Sequence, residues 1–182
     1  MRTSGPMVAD AYRFAPAAAD EAVVYGACAP GWHTAADHDV AIDEWLAFMH
    51  DAGIERVCCL LTGRQLDASD ANVGRYEDAF GPQRVLHAPV PDHHLLSPDT
   101  LQTEVLPFLR DADAADEPVV VHCLAGIGRT GQVLAAWLVA AREYTPQRAI
   151  ETVQELGRDP LESVDHGNAT KGDVLALLGS LD

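Results

Sequence analysis

The chain has 182 residues, of which 48% are hydrophobic and 22% are charged, as is typical of a soluble globular domain with a sizeable core. Its formal net charge is −16, and Lys171 is its only lysine. Because nucleic-acid binding needs a basic face that neutralises phosphates, this composition argues against a nucleic-acid partner. No apolar run reaches the length of a membrane span, so a membrane partner is not expected. The sequence does not indicate which oligomeric state the protein adopts.

Composition also carries expectations about the environment of the protein. The acidic excess and the scarcity of lysine together favour adaptation to high salt, where the Debye length falls to about 3 Å at 1 M. The alternative is the ordinary acidic composition of a protein from a G+C-rich genome. The N-terminal residues MRTSGPMVADAYRF lack the apolar segment of a secretory signal, which predicts a cytoplasmic location. The four cysteines are irregularly spaced and indicate neither a disulfide framework nor a paired-cysteine metal site.

The first half of the chain alternates predicted strands and helices. FAPAAADEA is typical of a turn between short strands, and EAVVYGACAPG is typical of a buried strand. Apolar residues at helical spacing from Ile42 to Met49 predict a helix that ends at Gly53. The buried strand IERVCCLL, a helix over residues 66–80 and the strand RVLHAPV follow in that order.

The second half begins with a helix that Ser97 caps and that Pro107 is expected to kink or split. The elements after it are the strand EPVVVHC, a helix over residues 129–144, a helix from Thr145-Pro146, and a last helix with Thr170 and Asp173 as a capping box.

This order of elements predicts the fold class. Alternating strands and helices indicate an α/β fold with a central, largely parallel sheet flanked by helices. Ligands of such folds bind at the carboxyl ends of the strands, where a loop joins each strand to the next helix. A single catalytic domain is expected over residues 1–182, with its core at about residues 22–182.

The segment VVVHCLAGIGRTG, residues 119–131, contains two overlapping signatures. Its three glycines match the G-x-G-x-x-G of a dinucleotide-binding turn. Two residues separate the strand from the first glycine, and a second helix follows where a strand with an acidic residue is needed. In a dinucleotide-binding turn the backbone must lie close to the pyrophosphate at the position that Arg129 occupies here, which also argues against that interpretation. A dinucleotide-dependent oxidoreductase is therefore the weaker interpretation, and a P-loop fails because no lysine precedes Thr130.

Cys123 and Arg129, separated by five residues, carry the second signature. A cysteine is an effective nucleophile only as the thiolate, which a helix N-terminus, a guanidinium and converging backbone N–H groups all favour. The same N–H groups fit a tetrahedral phosphate, and Arg129 offers a planar fork to two of its oxygens. Thr130 is expected to hydrogen-bond the sulfur and help it leave, and His122 to orient the loop instead of acting as a base. The expected substrate-binding residues are Leu124, Ala125, Gly126, Ile127, Gly128 and Arg129.

The stretch HCLAGIGRTG is similar to the H-C-x-x-G-x-x-R-[ST]-G signature of cysteine-dependent protein tyrosine and dual-specificity phosphatases. Low-molecular-weight phosphatases carry a similar loop near the N-terminus, whereas Cys123 lies two-thirds along this chain, as in the dual-specificity type. The resemblance implies a phosphatase-type fold, with a phosphate-binding loop between a strand and a helix. It also implies a phosphocysteine intermediate, no cofactor and no metal.

The substrate class that the resemblance implies is a phosphorylated protein, with phosphotyrosine, phosphoserine or phosphothreonine as the target. The same chemistry on an RNA 5′-phosphate, a phosphoinositide or a small metabolite is an alternative, as is a non-catalytic phosphate-binding module. The loop contains no lysine, which argues against highly charged lipid headgroups.

Asp92, in PVPDHHLLSPD, is the expected general acid, because the family usually supplies an Asp from a loop before the cysteine. Asp99 is the second candidate, although the helix dipole explains its place in a first helical turn. An ordinary turn role is the alternative for Asp92. His93 and His94 are interpreted as residues at the pocket mouth, since no third metal ligand stands at a suggestive spacing.

Several family members use a Gln in a late loop to direct water at the phosphocysteine, but this chain has no glutamine after Gln154. Asn168, in LESVDHGNATKG, is the candidate for that role, with a turn residue as the alternative. Cys58 and Cys59 are expected to be packing residues. The remaining candidates are Cys28 as a redox partner, which nothing in the sequence supports, and Trp32 and His33 as substrate contacts.

Overall fold

The computed structural model describes residues 12–32 and 37–181. Its sheet has the strand order β1-β2-β5-β3-β4, in which β1 pairs antiparallel with β2 and the other pairings are parallel. The predicted central, largely parallel sheet is therefore confirmed. The strands are β1 (Ala15–Pro16), β2 (Val24–Ala27), β3 (Arg56–Cys59), β4 (Val85–His87) and β5 (Val119–His122).

Helices cover both faces of this sheet. Trp45 and Tyr76 belong to the core cluster on one face, and Trp137 and Ile150 to the cluster on the other. Among the described residues, no helix combines the length and the apolar character needed to cross a membrane. The helices are α1 (His38–Asp51), α2 (Gly63–Ala68), α3 (Val73–Phe80), α4 (Pro98–Thr100), α5 (Leu106–Ala115), α6 (Gly128–Arg142), α7 (Pro146–Glu155), α8 (Glu162–Asp165) and α9 (Lys171–Gly179).

The central strand β5 determines where the candidate site lies. His122, its last residue, pairs with Ala27 of β2 on one side and with Cys59 of β3 on the other. Because the carboxyl ends of parallel strands meet at one edge of a sheet, the segments after β2, β3 and β5 converge there. The helix that follows, α6, is buried over residues 128–139, which explains its almost wholly apolar sequence.

Two local expectations concern the bounds of helices. The prediction of one helix over residues 66–80 is wrong, because α2 and α3 are separate. The Thr62 side chain caps the start of α2 and the Asn72 side chain caps the start of α3, so each helix has its own first turn. The split expected at Pro107 is absent, since residues 98–115 are helical throughout, and a π-helical segment over Leu101–Val105 directly precedes the turn that contains Pro107.

Candidate active site

The loop between β5 and α6, residues 123–128, is called the phosphate loop below. Cys123 directly follows β5 and has 3% of its surface exposed. The Thr130 hydroxyl donates a hydrogen bond to the Cys123 sulfur at 3.1 Å. Gly126 has a φ of +76°, and a Cβ there would lie 2.5 Å from the Ala27 carbonyl oxygen. Only glycine therefore lets the loop lie against the end of β2.

Arg129, in the first turn of α6, has a buried side chain with 2% exposed surface. Its Nη1 donates to Gln65 Oε1 at 2.7 Å and to the Val90 carbonyl at 2.9 Å. Its Nε has no hydrogen-bond partner within residues 12–32 and 37–181. A buried donor without a partner costs free energy, so this nitrogen is prepared for an anionic acceptor.

The structure brings Asp92 to the same guanidinium. Asp92 Oδ1 lies 3.2 Å from Arg129 Nη2, and Gln65 Nε2 donates to Asp92 Oδ2 at 3.4 Å. The Asp92 side chain is 37% exposed, so it reaches both the buried arginine and the solvent. Asp99, the second candidate, is exposed in the first turn of α4. The position of Asp92 suits a proton donor to a group bound at Arg129.

Residues 91–96, called the acid loop below, are held in place by two amide side chains. The buried Gln132 of α6 accepts from the Leu96 backbone N–H at 2.9 Å and donates to the His94 carbonyl at 3.0 Å. Asn168 donates to the His93 carbonyl at 2.9 Å from an exposed position. Asn168 therefore contacts the acid loop, and its role in directing water stays a prediction.

Gln65 is a functional candidate that the sequence analysis missed. It lies in the first turn of α2, where its side chain and that of Thr62 form a capping box. The same side chain contacts both Arg129 and Asp92. A signal was present in the sequence, because Thr62 and Gln65 have capping-box spacing just after the strand that pairs with β5.

The buried side chain of His122 contacts the start of the phosphate loop. Its Nδ1 lies 2.8 Å from the Cys123 carbonyl oxygen, which only accepts, so Nδ1 carries the proton. Its Nε2 accepts from the Tyr76 hydroxyl at 3.0 Å. Burial lowers the pKa of His122 to about 4. The imidazole is therefore neutral near pH 7 and fully engaged in hydrogen bonds, as a loop-orienting residue requires.

Arg158 is a second buried cation beneath the phosphate loop, which sequence reasoning did not single out. Its guanidinium donates to the Gly126 carbonyl and, at 2.6 Å, to the Arg13 carbonyl. Burial lowers the pKa of Arg158 to about 10, so it keeps its charge at neutral pH. Its positive field favours an anion in the loop above it.

The other cysteines differ from Cys123 in their surroundings. Cys28, Cys58 and Cys59 are fully buried. Burial raises the pKa of Cys28 and Cys59 to about 12 and that of Cys58 further still. These three groups are neutral thiols at physiological pH, as expected for packing residues.

Trp32, proposed as a substrate contact, is 44% exposed. It lines a groove of about 260 Å³ together with Asp70 and Leu124, so this groove adjoins the phosphate loop. His33, the other residue proposed for this contact, lies outside the described residues.

Comparisons with known proteins agree with this geometry. A family model described as the DSP-PTPase phosphatase of polymorphic toxin systems matches residues 32–143, more than half of the chain. The Variola virus protein named dual specificity protein phosphatase H1 is 34% identical over 63 residues, which are 34% of this chain and 37% of that protein. The chain thus spans about 37% of the length of the curated relatives that it matches.

Solved phosphatase structures share the fold. PTPMT1 in complex with PI(5)P superimposes with a TM-score of 0.68 at 14% identity, covering 92% of this chain and 96% of that one. A variant of P. aeruginosa TpbA in complex with phosphotyrosine has a TM-score of 0.56 at 18% identity, covering 88% and 86% of the two chains. The phosphatase-type α/β fold and the family resemblance are therefore confirmed. This chain belongs to the DSP-PTPase phosphatase family of polymorphic toxin systems.

Proposed function

We propose that this protein hydrolyses phosphomonoesters through a phosphocysteine intermediate, with phosphotyrosine, phosphoserine or phosphothreonine in a protein as the substrate. The observation that carries the proposal is the buried Nε of Arg129, which has no partner within the described residues. It belongs to a guanidinium that is also in contact with the expected acid Asp92. A bound phosphate would supply the missing acceptor.

In the first step the Cys123 thiolate attacks phosphorus, and the bond from phosphorus to the leaving oxygen breaks. Asp92, in its protonated form, gives its proton to that oxygen. Arg129, the backbone N–H groups of residues 124–128 and the N-terminus of α6 hold the phosphoryl oxygens and stabilise their charge. The products of this step are the dephosphorylated substrate and a phosphocysteine.

In the second step a water molecule attacks phosphorus, and the Asp92 carboxylate takes its proton. The sulfur–phosphorus bond breaks, which releases inorganic phosphate and restores the Cys123 thiolate. The Thr130 hydroxyl, 3.1 Å from the sulfur, stabilises the departing thiolate by donating a hydrogen bond. Asp92 ends the cycle protonated, so atoms and charges balance without a metal or a cofactor.

Gln65 and Gln132 have positioning roles in this proposal. Gln65 holds the guanidinium and the carboxylate in one arrangement before the substrate arrives. Gln132 connects the acid loop to α6. Such preorganisation lowers the cost of ordering the site when the substrate binds.

Charge at the site mouth supports a substrate with one phosphate on an otherwise weakly charged molecule. Asp70 lines the groove beside the phosphate loop, and Asp92 and Glu162 lie at the acid loop. These carboxylates would repel the additional phosphates of a phosphoinositide or an RNA end. The related fold of TpbA is solved with phosphotyrosine and that of PTPMT1 with PI(5)P, so both ligand classes belong in the test.

Other parts of the proposal concern the whole chain and its environment. We expect residues 1–182 to act as one catalytic domain, with its core at about residues 22–182, which agrees with secondary structure from Ala15 to Gly179. The net charge of −16 and the single lysine support adaptation to high salt. We also expect a cytoplasmic location.

The experiment compares hydrolysis of an aryl phosphate, phosphotyrosine and phosphothreonine peptides, PI(5)P and a 5′-phosphorylated RNA. We expect hydrolysis of the aryl phosphate and the peptides, its loss in Cys123→Ser, and hydrolysis that persists in the presence of a chelator. Cys28→Ser serves as the matched control, since Cys28 is a buried neutral thiol. Activity that survives Cys123→Ser would disprove the mechanism, and faster hydrolysis of PI(5)P or RNA than of the peptides would disprove the substrate class.

A further inference from the structure

His93, Glu162 and His166 converge at the rim of the candidate active site, although 69 residues separate the first from the second. One donor atom from each of the three side chains lies within 4.8 Å of the donor atoms of the other two. His93 Nδ1 is 2.8 Å from Glu162 Oε1, and the two imidazole rings stack with centroids 3.7 Å apart. We propose that these three side chains form a binding site for one zinc ion.

The donor set suits zinc. Two imidazole nitrogens and one carboxylate oxygen form a common zinc ligand set that leaves a fourth position for water. Two ligand atoms of a tetrahedral zinc lie roughly 3.3 Å apart, so His93 Nδ1 and Glu162 Oε1 need to separate by about half an ångström. The planes of the two imidazole rings are only 14° apart, so one ring has to turn before both ring nitrogens point at one ion, and the exposed position of His166 allows that rotation. The His93 side chain is 40% exposed and that of Glu162 is 21% exposed, which leaves a path for the ion from solvent.

The ring nitrogens that face away from the proposed ion have suitable outer partners. His166 Nδ1 donates to the Glu162 carbonyl at 2.9 Å, which leaves the lone pair of Nε2 free for a metal. His93 Nε2 lies 3.6 Å from Asp92 Oδ2. A metal-bound histidine usually donates its second N–H to a backbone carbonyl or a carboxylate. The bond from His166 is in place, and the Asp92 carboxylate lies just beyond hydrogen-bond distance of His93.

The backbone also holds the ligands in this arrangement. His93 has a φ of +61°, in the left-handed region, and its carbonyl accepts from Asn168. Glu162 begins α8 and His166 directly follows its last residue, and the His166 backbone N–H donates to the Glu162 carbonyl at 3.1 Å, so the two side chains are one helical turn apart. Gly128 lets Glu162 approach the start of α6, since a Cβ there would lie 2.8 Å from Glu162 Cδ.

A zinc ion at this site would connect the acid loop to α8, and through Glu162 to the first turn of α6. The ion would therefore act as a clamp on the acid loop without taking part in the phosphate chemistry. The sequence does not predict this metal site, because 69 residues separate His93 from Glu162 along the chain. The fold supplies the missing ligands, and this inference does not rest on the proposed phosphatase activity.

The test titrates zinc into tag-free Cys123→Ser protein by calorimetry, a background that removes the active-site thiol as a competing ligand. We expect one zinc ion per chain and a higher midpoint of thermal unfolding with zinc than with a chelator. Replacement of zinc by Co²⁺ should give the visible absorption of a four-coordinate site. If the Cys123→Ser protein does not bind zinc, the proposal is wrong.

Variants in the same background locate the site. Because even outer partners of a metal ligand change affinity by about tenfold to a hundredfold, Glu162→Gln, His166→Gln and His93→Gln should each weaken zinc binding at least about tenfold. His94→Gln is the matched control, since His94 is the exposed neighbour whose Nδ1 bonds the Asp92 carbonyl. Unchanged affinity in the three ligand variants, or an equal loss in His94→Gln, would place the ion elsewhere and contradict the proposal. Thermal unfolding without zinc confirms that each variant is folded.

Discussion

The phosphate loop and the surroundings of Asp92 are built in different ways. Cys123, Arg129 and Thr130 lie within eight consecutive residues, and one strand and one helix position them. Asp92 is instead held by Gln65 from α2, and its loop is held by Gln132 from α6 and Asn168 from the segment before α9. The chemistry of the first region is encoded locally, whereas that of the second depends on the assembled fold.

The phosphate loop and the acid loop also differ in how firmly the fold holds them. Cys123, Gly126 and Gly128 of the phosphate loop are buried, and the loop rests on three further buried residues, His122, Tyr76 and Arg158. The acid loop is partly exposed, and two amide side chains hold it, Gln132 through two hydrogen bonds and Asn168 through one. We therefore expect changes around the acid loop to lower catalysis, and changes beneath the phosphate loop to lower the stability of the fold.

The largest effect is expected for Asp92→Asn, which keeps the shape of the side chain but removes the proton that the leaving group needs. Turnover should fall by about 10²- to 10⁴-fold with little change in KM. The loss should be greater for an alkyl phosphate than for an aryl phosphate with an acidic leaving group. Steady-state kinetics on both esters provides the measurement.

Asp99→Asn is the matched control for this variant, because Asp99 is exposed in the first turn of α4. It should retain the activity of the unmodified protein. If turnover falls more in Asp99→Asn than in Asp92→Asn, the general acid is Asp99 of α4, and the acid loop does not supply it.

A smaller loss is expected for Gln65→Ala, which removes contacts to both Arg129 and Asp92. A hydrogen bond to a charged group contributes about 1.5–3 kcal/mol, so kcat/KM should fall about tenfold to a hundredfold. Gln65→Glu keeps an acceptor for Arg129 but loses the donor to Asp92, so its defect should appear in kcat more than in KM. Gln147→Ala, on the exposed face of α7, is the control. A loss confined to thermal stability would mean that Gln65 only caps α2.

The smallest effect concerns the stability of the fold and its dependence on pH. The pKa of His122 is about 4 in the folded protein, below its ordinary value of about 6.5. Between these values the unfolded chain binds more protons, so this contribution to stability is complete above about pH 6.5 and is lost as the pH falls towards 4. From pH 7 to pH 5 the free energy of unfolding should fall by about 2 kcal/mol on account of this group.

Urea unfolding of the unmodified protein and of His122→Gln at both pH values isolates this contribution from that of the carboxylates. The unmodified protein should lose more stability than the variant over this interval. Equal losses in the two proteins would contradict the buried, neutral state of His122.

The sequence predicts the locally encoded parts of the molecule well. The central strand β5, the buried helix α6 and the signature from Cys123 to Thr130 are each continuous in the chain, so periodicity and spacing reveal them. The predicted helix over residues 66–80 is wrong because the apolar pattern spans two helices, each of which starts at its own capping residue, Thr62 or Asn72.

The assembled contacts could not be predicted in the same way. Gln65 is 64 residues from Arg129, and the register of three parallel strands brings them together. Glu162 and His93 meet only because α8 packs beside the acid loop. Sequence spacing contains no information about such pairs until the order of the strands is known.

The proposed mechanism requires that Cys123 become covalently phosphorylated during turnover. Acid quenching of the protein during turnover of a ³²P-labelled phosphotyrosine peptide, followed by proteolysis and mass spectrometry, tests it most directly. We expect label on the peptide that contains Cys123, and none there in Cys123→Ser. Turnover with label on a histidine, a serine or another cysteine, or with no covalent label at all, would contradict it.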